Sequence, residues 1–486
     1  ILYYLIIYKQ NVIAMRKTVV LLTMLVCAFA GHNKASAYTA CIDGNYYDIF
    51  SRGAVFSYNA FKPYTGEVNI PASVEYKGTV YDVVEIDMDG FYLFGEDITA
   101  VNVDPDNKAA SSDNGFLYSK DKKEILFIPP HHKGMLTIGA DVGMSNYVAG
   151  LRNSLSAFAV ADGNPYFSVD NGVLYSSDGS VLLRCPGCFE GGYTIPEGTC
   201  SIADYAFAYC EKLESVAWPA GVSEIGEAAF SFCTSLTSMS LPEGIKNISG
   251  GLFECCDNLV EVDLPESVTT ICSFAFNCSA LTCIRVPAGV EHIENCAFSG
   301  AESLVTIDVA EGNMAYKSHD GALLTRDGRI MMFCPEGKRG IFVIPEGVEE
   351  ADHFTGCQYL EEVVMPASLR SVNSFMYCSS LKTIRSFVTE PFPIEYFTFY
   401  HTMIDTGRMV LYVPAGSGGK YGASRIWNFF DIREFDTSAG MSDAVSSKDV
   451  TELARYSADG RRLDRPAKGM NIVRMSDGSI RKVLVR

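Results

Sequence analysis

Residues 219–241 read Pro219-Ala220-Gly221-Val222-Ser223-Glu224-Ile225-Gly226-Glu227-Ala228-Ala229-Phe230-Ser231-Phe232-Cys233-Thr234-Ser235-Leu236-Thr237-Ser238-Met239-Ser240-Leu241, and the same pattern starts again at Pro242. Pro196, Pro219, Pro242 and Pro265 stand 23 residues apart, and Pro287 follows after 22. The shared template is P-x-G-V-x-x-I-x-x-x-A-F-x-x-C-x-x-L-x-x-V-x-L. Neighbouring turns fill it with Ile202, Phe207, Cys210, Leu213 and Val216, with Ile248, Phe253, Cys256, Leu259 and Val262, and with Ile271, Phe276, Cys278, Leu281 and Ile284. A further copy runs through Ile293, Phe298, Leu304 and Ile307, and the pattern resumes at Phe354, Cys357, Leu360, Val363 and at Phe375, Cys378, Leu381, Ile384. Self-similarity at this period predicts a solenoid, since one such unit cannot bury its apolar face alone and must stack on its neighbours.

Within each turn the ending L-x-x-V-x-L alternates apolar and polar residues, which predicts a short strand with one buried face. The proline after it stops the strand, having no N–H to give to a ladder. Stacked turns should align these strands in a curved parallel sheet, while the A-F segment forms the convex side with its Phe in the core. Three segments interrupt the ladder at Asn114-Gly115, Asn171-Gly172 and Asp320-Gly321, each Gly followed 14 residues later by Pro129, Pro186 or Pro335. Asn-Gly or Asp-Gly between alternating apolar runs signals a tight hairpin. These insertions are expected to project and widen the solenoid. Repeat tracing is poorest between residues 141 and 160.

The repeat resembles that of the BspA-like leucine-rich-repeat surface proteins of bacteria, over residues 68–435, about three quarters of the chain. On that resemblance, Ile70-Pro71-Ala72-Ser73-Val74-Glu75-Tyr76 stands as a first turn. The stretch from Leu411-Tyr412-Val413-Pro414 through Trp427, Phe430 and Ile432 stands as a closing cap. The resemblance implies a binding protein and assigns no individual binding residue.

Sixteen cysteines would ordinarily suggest a disulfide framework in an exported chain. Here Cys210, Cys233, Cys256, Cys278, Cys357 and Cys378 recur at one repeat position, where free Cys serves as a small hydrophobe. A ladder of stacked thiols is therefore expected, with occasional disulfides between turns or at Cys255–Cys256 as the alternative. Cys185-Pro186-Gly187-Cys188 has redox or zinc spacing, but no second pair supplies further ligands and Cys334-Pro335 repeats its first half, so it reads as module template. Glu85-Ile86-Asp87-Met88-Asp89-Gly90 with Glu96 approaches a calcium loop. Its Ile86-to-Phe91 stretch overlays Ile202 to Phe207 of the repeat, which explains it without a metal. No H-E-x-x-H, G-x-S-x-G or phosphate-loop motif occurs. His319 and His353 could meet across turns, though scattered surface histidines are commoner. The expectation is no catalytic residue, no cofactor and no metal.

Outside the repeat, residues 1–37 read as a secretory signal with a misplaced start: Met15-Arg16-Lys17 is the charged region and Met15 the expected initiator. Thr18 to Ala30 is apolar but too short to span a bilayer, and Ala35-Ser36-Ala37 offers a cleavage site. The net charge is −19, and −23 once the four basic residues of this segment are set aside. Such a surface repels nucleic acid and anionic lipid. Domain boundaries are expected at 38–435 for the repeat domain, 436–450 for a small-residue linker and 451–486 for a basic β module. The last carries nine basic and four acidic residues. Its Tyr456-x-x-x-Gly460-Arg461, Lys468-Gly469-x-Asn471-Ile472-Val473 and Lys482-Val483-Leu484-Val485-Arg486 elements resemble the sorting domain read by the type IX secretion system of Bacteroidetes. That resemblance implies export to the outer surface and the secretion machinery as a partner.

The candidate binding face consists of the outward residues of the strands. They are Ser215, Ser238 and Ser240, then Glu261 and Asp263, Arg285, Thr306 and Asp308, and finally Glu362, Thr383 and Arg385. Ala217, Cys283 and Val364 fall in the same series. An extracellular protein or glycan is the expected ligand of this acidic-centred surface. A stalk or surface-layer protein without a specific ligand is the competing expectation.

Overall fold

The computed structural model describes residues 40–59, 62–88, 95, 97–144, 152–399, 402, 409–439, 452–457, 462–463, 465, 469–475 and 480–485. The expected signal, most of the expected linker and the Asp89, Gly90 and Glu96 positions of the calcium-like loop lie outside them. The described residues fall into two compact units, one within 1–191 and 196–213, the other within 192–195 and 214–486. Both are β-solenoids with parallel strand pairing and little helix.

In the second unit each repeat is held to the next by three backbone ladders. The first is the predicted one: Ser238–Ser240 pairs parallel with Glu261–Asp263, and Cys283–Val286 with Thr306–Val309. Central Met239, Val262, Ile284 and Ile307 point inward and are buried. The second joins two-residue strands, Asn247–Ile248, Thr270–Ile271 and His292–Ile293, in register. The third runs through the A-F turns, where Phe230 N–H donates to Leu252, Phe253 to Ala275 and Phe276 to Ala297. Repetition thus satisfies the backbone polar groups that a buried irregular segment would leave orphaned.

The template Phe residues stack along the core. Ring centroids of Phe230, Phe253, Phe276 and Phe298 follow one another at 5.7–5.8 Å with interplanar angles of 20° or less. Phe354, Phe375 and Phe399 form a second stack. The cysteines of the repeat lie beside them, and every described cysteine is a free thiol. Cys256 Sγ donates to the Phe230 carbonyl of the preceding turn at 3.1 Å, and Cys378 Sγ to that of Phe354 at 3.0 Å. Burial pushes the Cys256 thiol up to about 12. One rung differs from expectation. Cys278 has φ +54°, as Cys255 has +55°, so it occupies the left-handed corner one residue before the ladder. The rung itself is Ser279, buried, with its hydroxyl on the Phe276 carbonyl. Counting from Phe, the ladder position is always the third residue, and the turn at Cys278 is not shortened there.

The three insertions share one design. Each hairpin turn has positive φ at both central residues, such as Asn171 (+47°) and Gly172 (+79°), as a type I′ turn requires. An asparagine precedes each: Asn107, Asn164 and Asn313 donate to carbonyls of the previous turn while their own Oδ1 accepts the N–H groups two and three residues ahead. The expectation that the hairpins project is corrected. Their second strands, Phe116–Ser119, Val173–Ser176 and Ala322–Thr325, are buried for three residues out of four. Their third strands pair parallel with the two-residue ladder, Val181–Arg184 with Ser201–Ile202 and Ile330–Phe333 with Glu350–Ala351. The turn glycines close the other side: Val101, Phe158 and Ile307 donate their N–H groups to the carbonyls of Gly115, Gly172 and Gly321. Each hairpin is therefore a built-in turn, and the strand sheet breaks where it intervenes.

At the start of the first unit, Ala40–Ile42, Asn45–Phe50 and Gly53–Ser57 form an antiparallel meander. The stretch read as a first repeat turn is different: Ser73–Tyr76 folds back on Thr79–Ile86 as an antiparallel hairpin. Its Lys77-Gly78 corner supplies positive φ at both residues, a signal the repeat pattern masks. At the far end of the second unit, Val410–Pro414 and Asp431–Phe435 extend the parallel sheet. The helix Gly418–Ala423 and Trp427 lie between them in sequence; Trp427 is buried and its Nε1 donates to the Phe392 carbonyl at 2.8 Å. Within 451–486 the described strands form an antiparallel sheet in the order Arg462–Leu463, Glu452–Ser457, Gly469–Met475, Ile480–Val485.

Candidate functional site

The strand face of the second unit divides into two chemically distinct parts. From Ser215 to Asp308 the outward side chains are solvated. Ser215, Ser238, Ser240, Glu261, Asp263, Cys283, Arg285 and Asp308 are exposed, and Thr306 is half-buried. Register places Ser238 opposite Glu261, Ser240 opposite Asp263, and Arg285 opposite Asp308. Ser240 Oγ reaches Asp263 Oδ2 at 3.3 Å. The Arg285 guanidinium pairs with Glu266 at 3.8 Å, both side chains more than 60% exposed, so that contact is worth little and leaves the head available. Among the described residues no base pairs with Glu261, Asp263 or Asp308, which gives the surface an acidic centre. Partial burial, and then the neighbouring Asp308 carboxylate, push the Cys283 thiol above its ordinary range, so it is a poor nucleophile.

Beyond the third hairpin the same face is closed. The intervening strand Gly340–Val343 carries Ile341 and Val343 outward, in register with Glu362 and Val364. Sequence reasoning missed this strand; its signal was the I-F-V-I-P run ending at Pro345, with Phe342 and Ile344 at the V-x-L positions of the motif. Val364, expected to face outward in solvent, is fully buried. Arg385, its neighbour in register, lies across the face with its guanidinium 3.1 Å from Glu362 and 4.6 Å from the Tyr412 ring centroid. Phe435 stands 5.4 Å away on the same head group and packs edge-on against Phe387. Glu362 and Arg385 are 13% and 20% exposed, so their charges are spent on each other. Thr383 beside them is half-buried. These three residues belong to a packed cap, separate from the solvated face that ends at Asp308.

The other sequence candidates are placed as follows. Cys185 is buried and Cys188 exposed, with Cys188 Sγ on the Ser154 carbonyl at 3.3 Å. Glu85 of the calcium-like loop pairs with Arg52 at 3.1 Å. His353 packs against Phe333, and no hydrogen bond or ring contact joins it to His319 among the described residues. Among the described residues no group of three or more His, Cys, Asp or Glu side chains converges to hold a metal ion. No helix among them is long and apolar enough to cross a membrane.

Comparison with solved structures finds similar folds at low identity. A leucine-rich cell surface protein from Faecalibacterium prausnitzii is 20% identical over 85% of this chain and 98% of its own, with a TM-score of 0.39. A leucine-rich repeat protein from Bacteroides ovatus is 20% identical over 72% and 94%, with a TM-score of 0.29. The pneumococcal vaccine antigen PcpA is 15% identical over 83% and 100%, with a TM-score of 0.28. No curated protein matches the chain. Residues 199–318 and 342–408 match the BspA type leucine rich repeat region in six copies, and the gap between the two spans coincides with the third hairpin. Those two spans are therefore similar to BspA type leucine rich repeats.

Proposed function

We propose that this is a non-catalytic binding protein of the cell surface or extracellular space, which captures a protein or glycan on the solvated strand face from Ser215 to Asp308. One observation carries the reading. Along the strands of the second unit, the outward residues beyond the third hairpin are packed and internally paired, whereas Glu261, Asp263 and Asp308 stand in solvent with no base paired to them among the described residues. A stalk with no ligand gives no reason for that division. Flat sheet faces of repeat solenoids suit extended recognition because side chains from many turns share one plane. The test is capture by the full chain on a panel of extracellular matrix proteins and glycans, compared with a variant carrying E261A, D263A and D308A. These exposed replacements should change stability by less than about 0.5 kcal/mol. Captured ligands should be lost from the variant; undiminished capture removes the site from this face.

The segment 451–486 is the sorting element in this reading. Its support is the antiparallel sheet distinct from the parallel repeat, together with its basic composition and the Lys482-Val483-Leu484-Val485-Arg486 run. Deleting 451–486 should leave the protein in the periplasm, as read by fractionation and surface proteolysis. Normal surface display of the deleted chain refutes the role.

A further inference from the structure

The left-handed corner before each rung holds Tyr209, Phe232, Cys255, Cys278 and Gly300 in successive turns, all at positive φ. Cysteine therefore occupies two consecutive corners. Phe232 N–H donates to the Glu254 carbonyl, Cys255 N–H to that of Asn277 at 2.8 Å and Cys278 N–H to that of Ser299, so the corners stack in one register. Residues stacked across hydrogen-bonded neighbours stand about 4.8 Å apart, inside the roughly 4.4–6.8 Å between Cα atoms that a disulfide spans. With φ of +55° and +54° both side chains leave the same kind of corner, and the Cys255 thiol is in hydrogen-bond contact with that of Cys278. Cys278 Sγ also lies 2.7 Å from Asn277 Oδ1. Cys256 is buried with its Sγ on the Phe230 carbonyl, so the thiol that touches Cys255 is the one a full turn away. Both corner cysteines are half-buried, whereas Cys334 and Cys357, a second pair in contact, are fully buried. The interface between these two turns is also where the strand ladder lapses: Glu261–Asp263 and Cys283–Val286 belong to separate two-stranded sheets. Leu281 follows the rung Ser279 by two residues where Leu259 follows Cys256 by three, so one residue is missing just before the strand.

We propose that Cys255 and Cys278 are an oxidisable pair that closes to an inter-turn disulfide and clips the solenoid where strand pairing lapses. The oxidant is itself a disulfide. One cysteine, as thiolate, attacks it and expels a first thiolate; the other, as thiolate, attacks the cysteine sulfur of the mixed disulfide and expels the second. Two protein thiols become one disulfide, the oxidant is reduced to two thiols, and the two protons pass to them. Neither residue belongs to the Ser215-to-Asp308 face, so the clip and the binding face can fail independently. In the test the full chain is held in oxidised glutathione, its remaining thiols are alkylated in urea, and it is cut after Glu with a glutamate-specific protease. Glu261 and Glu266 separate the pair. Mass spectrometry should find the peptide that begins at Cys255 joined to the one carrying Cys278, lighter than their sum by two hydrogens, with Cys334 and Cys357 alkylated. C255S and C278S should each abolish the link. In the oxidised chain Cys256 should resist alkylation to a higher urea concentration than in C278S treated alike, since the bond restrains the two turns together. Glutathionylation of exposed Cys188 with no link at Cys255 overturns the proposal. So does linkage of Cys255 to Cys272 or Cys283 as often as to Cys278, or equally fast oxidation of the buried Cys334–Cys357 pair, because either would place the reaction in the unfolded chain. A link that leaves the Cys256 midpoint unchanged refutes the clip.

Discussion

Charge in this protein is assigned residue by residue, and the same side chain types do opposite work according to burial. Asp121, Asp178 and Asp327 sit at one position of the three hairpins, each accepting from the hydroxyl two residues earlier, Ser119, Ser176 or Thr325, at 2.6–2.7 Å. Those hydroxyls, followed by local backbone N–H groups, hold all three carboxyls below the usual range, Asp178 at about 2. A depressed carboxyl stabilises the fold above its unfolded value, and that stability fades as pH falls toward the folded value. Protonation therefore loosens these turns only in strong acid. Glu362 differs because its charge is largely removed from water and, among the described residues, answered by Arg385. Replacing Glu362 by Ala should destabilise the chain by about 1–3 kcal/mol, since the largely enclosed guanidinium loses its charged partner. Asp263→Ala, in the solvated part of the face, should cost less than about 0.5 kcal/mol. Urea unfolding of the two variants decides this; comparable midpoints would mean that Arg385 finds water or another acceptor.

At the scale of the element, the hairpin insertion is the unit whose role the sequence conceals. Its turn was legible because Asn-Gly and Asp-Gly carry a direct backbone meaning. Its integration was not legible, because nothing local says that Gly321 O accepts from Ile307 across the turn. The two-residue strands were equally hidden: Thr270–Ile271 is too short to show alternation and exists only because Asn247–Ile248 lies beside it. Cys278 was misplaced by one residue because spacing alone cannot distinguish a left-handed corner from the rung after it. By contrast, the inward Met239, Val262 and Ile284 could be read from pattern, since burial of alternate residues is what a paired strand imposes. Docking of the hairpin makes a specific demand at its turn. A Cβ on Gly321 would lie 2.7 Å from the Val305 carbonyl oxygen in a backbone at φ +74°. Gly347, at φ +88°, has nothing within 4 Å of that position. Both alanine variants bear the conformational cost of roughly 1 kcal/mol. Gly321→Ala should lose at least about 1–2 kcal/mol more than Gly347→Ala, because the docked strand must also move away. Thermal unfolding of the pair checks this; equal losses would show that the hairpin does not bear on the strand.

For the whole molecule, a protein made of repeated contacts between neighbours need not unfold as one body, and its cysteines are placed to report this. Cys185 and Cys210 are buried in the first unit, Cys233 and Cys256 in the turns before the third hairpin, and Cys334, Cys357 and Cys378 in and beyond it. Each of those thiols is covered by its own turn and the adjacent one, so its protection reports local stacking. Cys41, Cys188 and Cys200 are exposed and serve as internal standards. In a chain whose stability is a sum of repeat and interface contributions, segments with weaker interfaces open first. The strand sheet is interrupted at each hairpin, and the third hairpin separates the Phe230-to-Phe298 stack from the Phe354-to-Phe399 stack. Alkylation pulses along a urea series, mapped by mass spectrometry, should label these three exposed cysteines at once. The buried groups should become reactive at separate midpoints, with Cys357 and Cys378 protected longest. Their turns are backed by the continuous sheet from Gly340–Val343 to Asp431–Phe435 and by the Trp427 cap. A single shared midpoint for all seven buried thiols would mean that the hairpins transmit stability between segments, and that breaks in the strand sheet are not breaks in cooperativity.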